Sequence, residues 1–135
     1  MAHIEGGCLC GQVRFSGDAE PLFQAVCHCK NCQRQAGSAY SVIVGVPRGA
    51  LTVTGTLKTY HDHGDSGGAV DRHFCPECGS PLFSDAPARP ELVFIKAGTL
   101  DDPSWVTPQI HIWTESAMAC TTLPAGVPAF PKNPG

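Results

Sequence analysis

Short apolar stretches, separated by glycine, proline and aspartate, recur along this chain of 135 residues. They are rich in β-branched and aromatic residues, which is typical of strands rather than helices. The predicted strands cover residues 8–15, 22–27, 38–46, 50–54, 57–61, 69–74 and 91–97. Two segments depart from this pattern. Residues 29–36 are predicted to form a turn or a helical turn, and residues 113–118 are weakly helical. We therefore expect a mainly β protein.

The composition indicates one globular domain. Hydrophobic residues make up 42% of the chain and charged residues 16%, against about 25% charged residues in typical soluble domains. A chain of this length can bury roughly two-thirds of its unfolded surface, enough for one core. We expect a single domain over residues 1–135, with a core at about 6–123 and an extended proline-rich tail at 124–135.

Charge and hydropathy argue against several kinds of partner. The net charge is -3 and there is no basic stripe, so no nucleic acid partner is expected. No apolar run approaches the roughly 20 residues that span a bilayer, and the N-terminal sequence MAHIEGGCLC lacks a signal pattern. We therefore expect no membrane partner and a cytoplasmic location. In that reducing compartment, the eight cysteines are expected to bind metal or react as thiols.

One group of cysteines combines two distant pairs. Cys8 and Cys10 near the start, with Cys75 and Cys78 downstream, offer the four thiolates that structural zinc takes. In the segment CPECG the proline favours a turn, and Gly79 can adopt a positive φ after the last ligand. These four residues predict a structural zinc site, although spacing alone leaves other pairings of the cysteine clusters open.

A second group places three cysteines within six residues, at Cys27, Cys29 and Cys32. Three protein ligands leave one tetrahedral position for water or substrate, which is the mark of a catalytic zinc. Zn²⁺ with three thiolates has a formal charge of about -1, so it suits a thiol ligand better than water. We predict that these cysteines form the reaction centre and that the chain binds two zinc ions.

Five segments occur in order along the chain: GGCLCGQVRF, CHCKNCQRQAGSAYS, FCPECGSPLF, AGTLDDPS and PQIHIW. This ordered set resembles the glutathione-dependent formaldehyde-activating enzyme family, which includes the centromere protein V proteins. The resemblance runs from about Gly6 to Pro131. It implies a single-domain β-tent zinc-binding fold, with a structural zinc at the four-cysteine group and an active-site zinc at the three-cysteine group.

The resemblance also implies a reaction. In the family's named reaction, glutathione and formaldehyde combine into S-hydroxymethylglutathione, so a carbon-sulfur lyase acting on a thiol-aldehyde adduct is expected. We hypothesise that the substrate thiol takes the open position at the three-cysteine group, loses its proton and attacks the aldehyde carbon. Lys30 or Arg34 would balance the anionic charge. The expected partners are a small thiol, such as glutathione, and an aldehyde.

Cys120 leaves two alternatives open, because it stands where members of this family tend to carry a tryptophan. If Cys120 completed the three-cysteine group, that centre would be structural, and the chain would be a non-catalytic zinc scaffold that binds another protein. The second alternative is a β-tent thiol oxidoreductase of the methionine sulfoxide reductase B type that uses Cys120. Its sequence neighbours lack the arginines that would lower its pKa, and the default expectation for Cys120 is a small buried residue.

The remaining histidines and aromatic residues are expected to have structural roles. His28 is predicted to point to solvent, opposite the two ligands that flank it. His61 and His63 are assigned to an exposed polar loop, and His111 to a strand, either at the surface or hydrogen-bonded in the core. Packing roles are expected for Trp105, Trp113 and Phe130.

Overall fold

The computed structural model describes residues 2–64 and 67–134, which contain ten strands and one α-helix. The strands are β1 (Ala2–Gly7), β2 (Arg14–Ala19), β3 (Phe23–Cys27), β4 (Ser41–Pro47), β5 (Thr52–Thr54), β6 (Lys58–His63), β7 (Ala69–Phe74), β8 (Pro81–Asp85), β9 (Leu92–Lys96) and β10 (Ile110–Ile112). The helix α1 spans Lys30–Ala36, and 3-10 helices span Ala97–Thr99 and Thr114–Ser116.

The strands form two sheets. The smaller sheet has three antiparallel strands in the order β1-β2-β5. The larger has seven strands in the order β10-β3-β4-β9-β8-β7-β6, antiparallel except where β10 runs parallel to β3. Because the two sheets share one core, the expectation of a mainly β, single-domain β-tent fold is confirmed.

The core lies between the two sheets. Phe15 of the smaller sheet meets Phe83 of the larger one edge-on, with ring centroids 5.0 Å apart. Fully burying an aliphatic or aromatic side chain stabilises a fold by about 1.5–3 kcal/mol. This core therefore fixes the position of one sheet on the other. Its other fully buried members include Ile4, Val13, Val44, Val46, Leu82 and Ile95.

The opposite face of the larger sheet carries the side chains of a candidate site. Cross-strand partners lie on the same face of a sheet, as do residues two apart along one strand. The register pairs Cys27 with Ser41, Ile43 with Lys96, Phe94 with Ser84, and Ser84 with Arg72. The pairing of five strands thus aligns cysteine, lysine and arginine along one surface.

The predicted strand at residues 8–15 is wrong. The chain turns there, because the amide of Cys8 donates to the carbonyl of Val13 and the amide of Gly11 donates to the carbonyl of Cys8. A strand precedes this turn and the next one begins at Arg14. Strand β8 was also missed, because its five residues begin with a proline and show no alternation.

The tail predicted as an extended arm lies along β10. The amide of His111 donates to the carbonyl of Pro128, and the amide of Phe130 donates to the carbonyl of His111, each at 2.9 Å. The domain limits 1–135, 6–123 and 124–135 stay predictions, and Met1 and Gly135 lie outside the described residues.

None of the helices in the described part of the chain is long and apolar enough to cross a bilayer.

Candidate metal centres and the adjoining cavity

The fold brings the four-cysteine group together where the two sheets meet. The turn after β1 supplies two of the cysteines, and the connection from β7 to β8 supplies the other two. All four sulfurs lie within 4.8 Å of one another, and the group consists of Cys8, Cys10, Cys75 and Cys78. The Sγ atom of Cys10 lies 3.7 Å from that of Cys8 and 3.8 Å from that of Cys75. Tetrahedral zinc with bonds of about 2.3 Å requires sulfur separations of about 3.8 Å, so this group fits zinc.

Nitrogen donors point at two of these sulfurs. The amide of Val13 donates to Cys8 Sγ at 3.3 Å. The amide of Glu77 and the side-chain amide of Gln12 donate to Cys75 Sγ, at 3.4 and 3.2 Å. Hydrogen bonds to a thiolate favour its charged form. The surroundings are therefore suited to sulfur in the state that binds metal.

The last ligand of the four-cysteine group sits in a tight turn. Hydrogen bonds from the hydroxyl and backbone of Ser80 lower the pKa of Cys78 to about 5. Gly79 has a φ of 78°, as predicted, and its amide donates to the carbonyl of Cys75 at 2.9 Å. The left-handed conformation closes the turn at little cost because glycine has no Cβ.

The three-cysteine group also assembles, and we call it the triad. Cys27 ends β3, Cys29 is the N-cap of α1, and Cys32 lies in the first turn of that helix. The sulfurs lie within 4.8 Å of one another and all three residues are buried. The Sγ atom of Cys29 accepts the amide of Cys32 at 3.2 Å. The end of β3 and the first turn of α1 together direct the three sulfurs toward one point.

The electrostatics of the triad call for a cation. Hydrogen bonds with Cys29 and Cys32, together with burial, raise the pKa of Cys27. Hydrogen bonds from Cys27 and Cys29, aided by the charges of Lys96 and Arg72, lower the pKa of Cys32 to about 3. One thiolate among the three sulfurs makes it harder for the other two to lose their protons. All three can be ionised together only if a cation lies between them. A donor set of three thiolates with one open side fits zinc.

The open side of the triad faces a cavity of about 220 Å³. Its walls are largely apolar, and two cationic side chains, Lys96 and Arg72, reach it from β9 and β7. A reactant at the triad would therefore lie between hydrocarbon and fixed positive charge. The apolar part of the lining includes Ile43, Val70, Phe94, Ile112 and Trp113.

The cationic residues at this cavity differ from those expected. Lys30 and Arg34 lie exposed on α1, and neither is among the described residues that line the cavity. Arg34 instead lines a neighbouring polar cavity of about 390 Å³, which shares Arg72 with the first. The sequence held one signal for Lys96, because it is the single charge at the end of the apolar run LVFIK.

The other charges near the cavity have partners. Arg72 Nε donates to Asp62 Oδ2 at 2.9 Å, and this bond holds the pKa of Asp62 below its ordinary value although burial opposes the shift. Asp85 lies 2.9 Å from Arg48 and 3.2 Å from His73. Lys96 differs, because its ammonium donates only to the hydroxyl of Ser41 among the hydrogen bonds of the described residues.

The solvent-facing orientation predicted for His28 is wrong. Its side chain does point away from the flanking ligands, but β10 and Tyr40 cover that side, so it is fully buried. His28 Nε2 lies 2.9 Å from Nδ1 of His111, which is also buried. The prediction failed because the covering strand is more than eighty residues away in sequence. The hydrogen-bonded core role considered for His111 is confirmed.

Cys120 and the remaining histidines stand apart from the triad. Cys120 is exposed, so its expected burial is wrong, and it does not belong to either cysteine group of the described chain. The closed four-thiolate alternative has no support here. His61 and His63 are exposed as predicted, but they lie on β6 rather than in a loop, and His61 pairs with Asp71 at 2.6 Å.

Trp113 links the cavity to the tail. It has a φ of 58°, a left-handed conformation that is uncommon for a large residue, and its ring lines the cavity. Its indole N–H donates to Asn133 Oδ1 at 2.9 Å, and Asn133 also lines the cavity. Trp105 packs against the main core, as expected, and Phe130 is half-buried.

The fold and the two cysteine groups define a mainly β protein with two candidate metal-thiolate centres. The chain belongs to the GFA family, because the model of that family, described as glutathione-dependent formaldehyde-activating enzyme, matches residues 3–116. The match includes all seven cysteines of the two groups and ends before Cys120 and the tail.

Curated relatives agree with this assignment, and a solved structure shares the fold. A candidate glutathione-dependent formaldehyde-activating enzyme from Halomonas elongata is 31% identical, and the match covers 84% of this chain and 76% of the relative. Another from Aspergillus flavus is 32% identical, and the match covers 93% of this chain and 70% of the relative. A relative from Phaeosphaeria nodorum is 29% identical over 84% of this chain, which spans only 64% of that protein. A crystal structure of a Rhodobacter sphaeroides protein shares the fold, with a TM-score of 0.56 at 22% identity over 72% of this chain and 87% of the other.

Proposed function

We propose that this protein is a zinc-dependent carbon-sulfur lyase that forms or cleaves the adduct of a small thiol and an aldehyde at the triad. The observation that carries this proposal is the convergence of three buried thiols on the floor of an open cavity. Relatives named for glutathione-dependent formaldehyde activation point to glutathione and formaldehyde as the reactants.

The three cysteine ligands of the triad explain why a thiol is proposed as the substrate. Zinc held by Cys27, Cys29 and Cys32 would keep a substrate thiol ionised at neutral pH, whereas a free thiol has a pKa near 8.5. In the described part of the chain no fourth cysteine, histidine or carboxylate joins these three. The open side is therefore left to the substrate.

The reaction needs few groups from the protein. The substrate thiol releases its proton to solvent and its sulfur forms a bond to the aldehyde carbon. The carbonyl π electrons move to oxygen, and that oxygen takes a proton from solvent. Cleavage is the reverse. The apolar walls at Ile43, Phe94 and Ile112 limit water near the reacting carbon, and the cations of Lys96 and Arg72 face the negative charge that moves from sulfur to oxygen.

The size of the cavity sets where a larger thiol would lie. About 220 Å³ is below the 300 to 1,000 Å³ typical of ligand pockets, so it suits a thiol side chain with a small aldehyde. The rest of a peptide thiol would extend into the neighbouring polar cavity, which Asn31, Arg34 and Tyr60 line. Reduced thiols are needed for both the triad and the substrate, so we propose that the protein acts in the cytoplasm.

Exchange of label between formaldehyde and the S-hydroxymethyl adduct of glutathione, followed by NMR, tests the proposal. We expect wild-type protein to accelerate exchange over the spontaneous rate, Cys29→Ala to abolish the acceleration, and the matched control Cys120→Ala to keep it. Acceleration by Cys29→Ala at the wild-type level would contradict the proposal. So would wild-type protein that leaves the spontaneous rate unchanged.

A further inference from the structure

Lys96 is almost completely buried, with 6% of its surface exposed. Its ammonium donates to Ser41 Oγ at 2.8 Å, and no carboxylate of the described residues lies within ion-pair distance of it. Burying an unpaired ammonium is costly, so buried lysines almost always have an opposite charge nearby. A neutral hydroxyl alone does not offset that cost. Burial lowers the pKa of Lys96, and negative charge on the nearby cysteine sulfurs opposes that shift.

The register explains what Lys96 faces. Ser41 stands directly opposite Cys27 on the neighbouring strand, and Lys96 stands opposite Ile43, two residues from Ser41 on the same face. The hydrogen bond to Ser41 therefore draws the ammonium toward Cys27. Lys96 and the triad line the same cavity.

Other charges at this cavity do not neutralise Lys96. Arg72 is a second cation, and its carboxylate partner is Asp62. Asp85 is engaged by Arg48 and by His73. The thiolates of the triad are thus the negative charges that remain for the ammonium.

The charge on the triad grows when it takes a substrate. Three thiolates around a divalent metal leave a formal charge of about -1, and a fourth thiolate raises it to about -2. Opposite charges a few ångströms apart in a partly buried site change a binding constant by about tenfold or more. A fixed cation beside the triad would therefore favour an anionic fourth ligand.

We propose that Lys96, held by Ser41, is the counter-ion of the metal-loaded triad and allows it to accept a thiolate as a further ligand. This inference rests on the proposed function for the identity of that ligand. It makes Lys96 a positioning residue that sets the charge balance of the site, and it explains why the chain buries a lysine at the end of an apolar strand.

Cobalt-substituted protein provides a test that does not depend on turnover. The Co²⁺ affinity of the triad is measured by chelator competition, and glutathione binding by the sulfur-to-cobalt charge-transfer absorption. Subtracting the spectrum of the triple variant Cys27→Ser, Cys29→Ser, Cys32→Ser removes the contribution of the four-cysteine group.

We expect Lys96→Met to lower the affinity for glutathione by about tenfold or more. The affinity for Co²⁺ should fall as well. Lys96→Arg keeps the charge and is expected to restore most of both affinities. Lys58→Met removes an exposed lysine and is expected to change neither. If Lys96→Met does not fold, Ser41→Ala serves instead, with a smaller loss of both affinities.

Wild-type affinities for Co²⁺ and glutathione in Lys96→Met, or in Ser41→Ala where that variant is used, would overturn the inference. Wild-type protein that binds Co²⁺ at the triad but no thiol would instead contradict the proposed function. In that case the Co²⁺ affinity of the same variants still decides whether Lys96 is the counter-ion.

Discussion

His28 Nε2 lies 2.9 Å from Nδ1 of His111, and the two imidazole rings meet edge to edge, with centroids 5.2 Å apart and planes inclined by 24°. Burial lowers the pKa of both rings, so the pair is neutral at pH 7. Because His28 stands between two cysteines of the triad, this contact fixes the ligand segment against β10.

Replacing His28 with alanine would leave a cavity and an unpaired ring nitrogen on His111. We expect His28→Ala to lower the free energy of unfolding by about 2–4 kcal/mol, measured by urea denaturation of metal-loaded protein. The control His61→Ala removes a ring that is 80% exposed and should change stability by less than about 0.5 kcal/mol. Equal stability of the two variants would show that the buried pair does not hold the segment.

The four-cysteine group joins the two sheets, so we expect a zinc ion bound there to be essential to the fold. Structural zinc can supply about 10–16 kcal/mol of apparent binding free energy, which rivals the whole stability of a small domain. We expect Cys75→Ser to lose the zinc of this group and its cooperative thermal unfolding, measured by metal analysis and circular dichroism. The exposed Cys120→Ser should behave as wild type. A Cys75→Ser protein with two zinc ions and an unchanged Tm would contradict this role.

The ion pair of Asp62 and Arg72 should make stability depend on pH. The folded-state pKa of Asp62 is lowered. The pair therefore stabilises the protein above the ordinary carboxyl pKa near 3.9, and this stabilisation is lost as pH falls through the folded-state value. Asp62→Asn leaves Arg72, whose side chain is only 7% exposed, without its carboxylate. We expect Asp62→Asn to lower the free energy of unfolding by about 3 kcal/mol at pH 7. In the variant this free energy should also fall less steeply than in the wild type as the pH is lowered.

Urea denaturation between pH 3 and pH 7 measures both effects. Glu91→Gln is the matched control, because it breaks an exposed pair with Arg89 and should have little effect at any pH. Parallel pH profiles for wild type and Asp62→Asn would exclude this pair as a source of the acid sensitivity.

The tail should determine how far water reaches Trp113. The amide of Trp113 donates to the carbonyl of Lys132, and its indole N–H donates to Asn133. In a Trp105→Phe background, deleting residues 128–135 should increase acrylamide quenching of Trp113 fluorescence severalfold. Lys132→Ala should not, because this contact uses only the backbone of Lys132. Unchanged quenching after the deletion would mean that the tail does not cover the ring.

Local patterns predicted some elements well and others poorly. Strands β4 and β7 were expected because their apolar and β-branched residues are contiguous, whereas the segment of α1 was expected only as a turn or a helical turn. The alternation at residues 8–15 was misleading because the ligand turn at Cys8 and Cys10 interrupts it. Ligand spacing is a stronger constraint on the backbone there than strand propensity.

The cysteines of the site were predictable, but its other residues were not. Thiolates at short, ordered spacings have few uses other than metal binding, and the fold brings both expected groups together. Lys96 and Arg72 reach the triad only through the pairing of β9 and β7 with neighbouring strands, which depends on long-range register. The burial of His28 likewise depends on a strand that lies far along the chain.

Zinc stoichiometry with thiol titration tests the central claim, that the triad is an open metal site for a thiol. Protein purified without a tag or added metal is analysed beside the triple variant Cys27→Ser, Cys29→Ser, Cys32→Ser. We predict two zinc ions in the wild type and one in the folded variant, with glutathione perturbing only the metal that the variant lacks. Two zinc ions that no thiol perturbs, or an unchanged stoichiometry in the triple variant, would contradict the account.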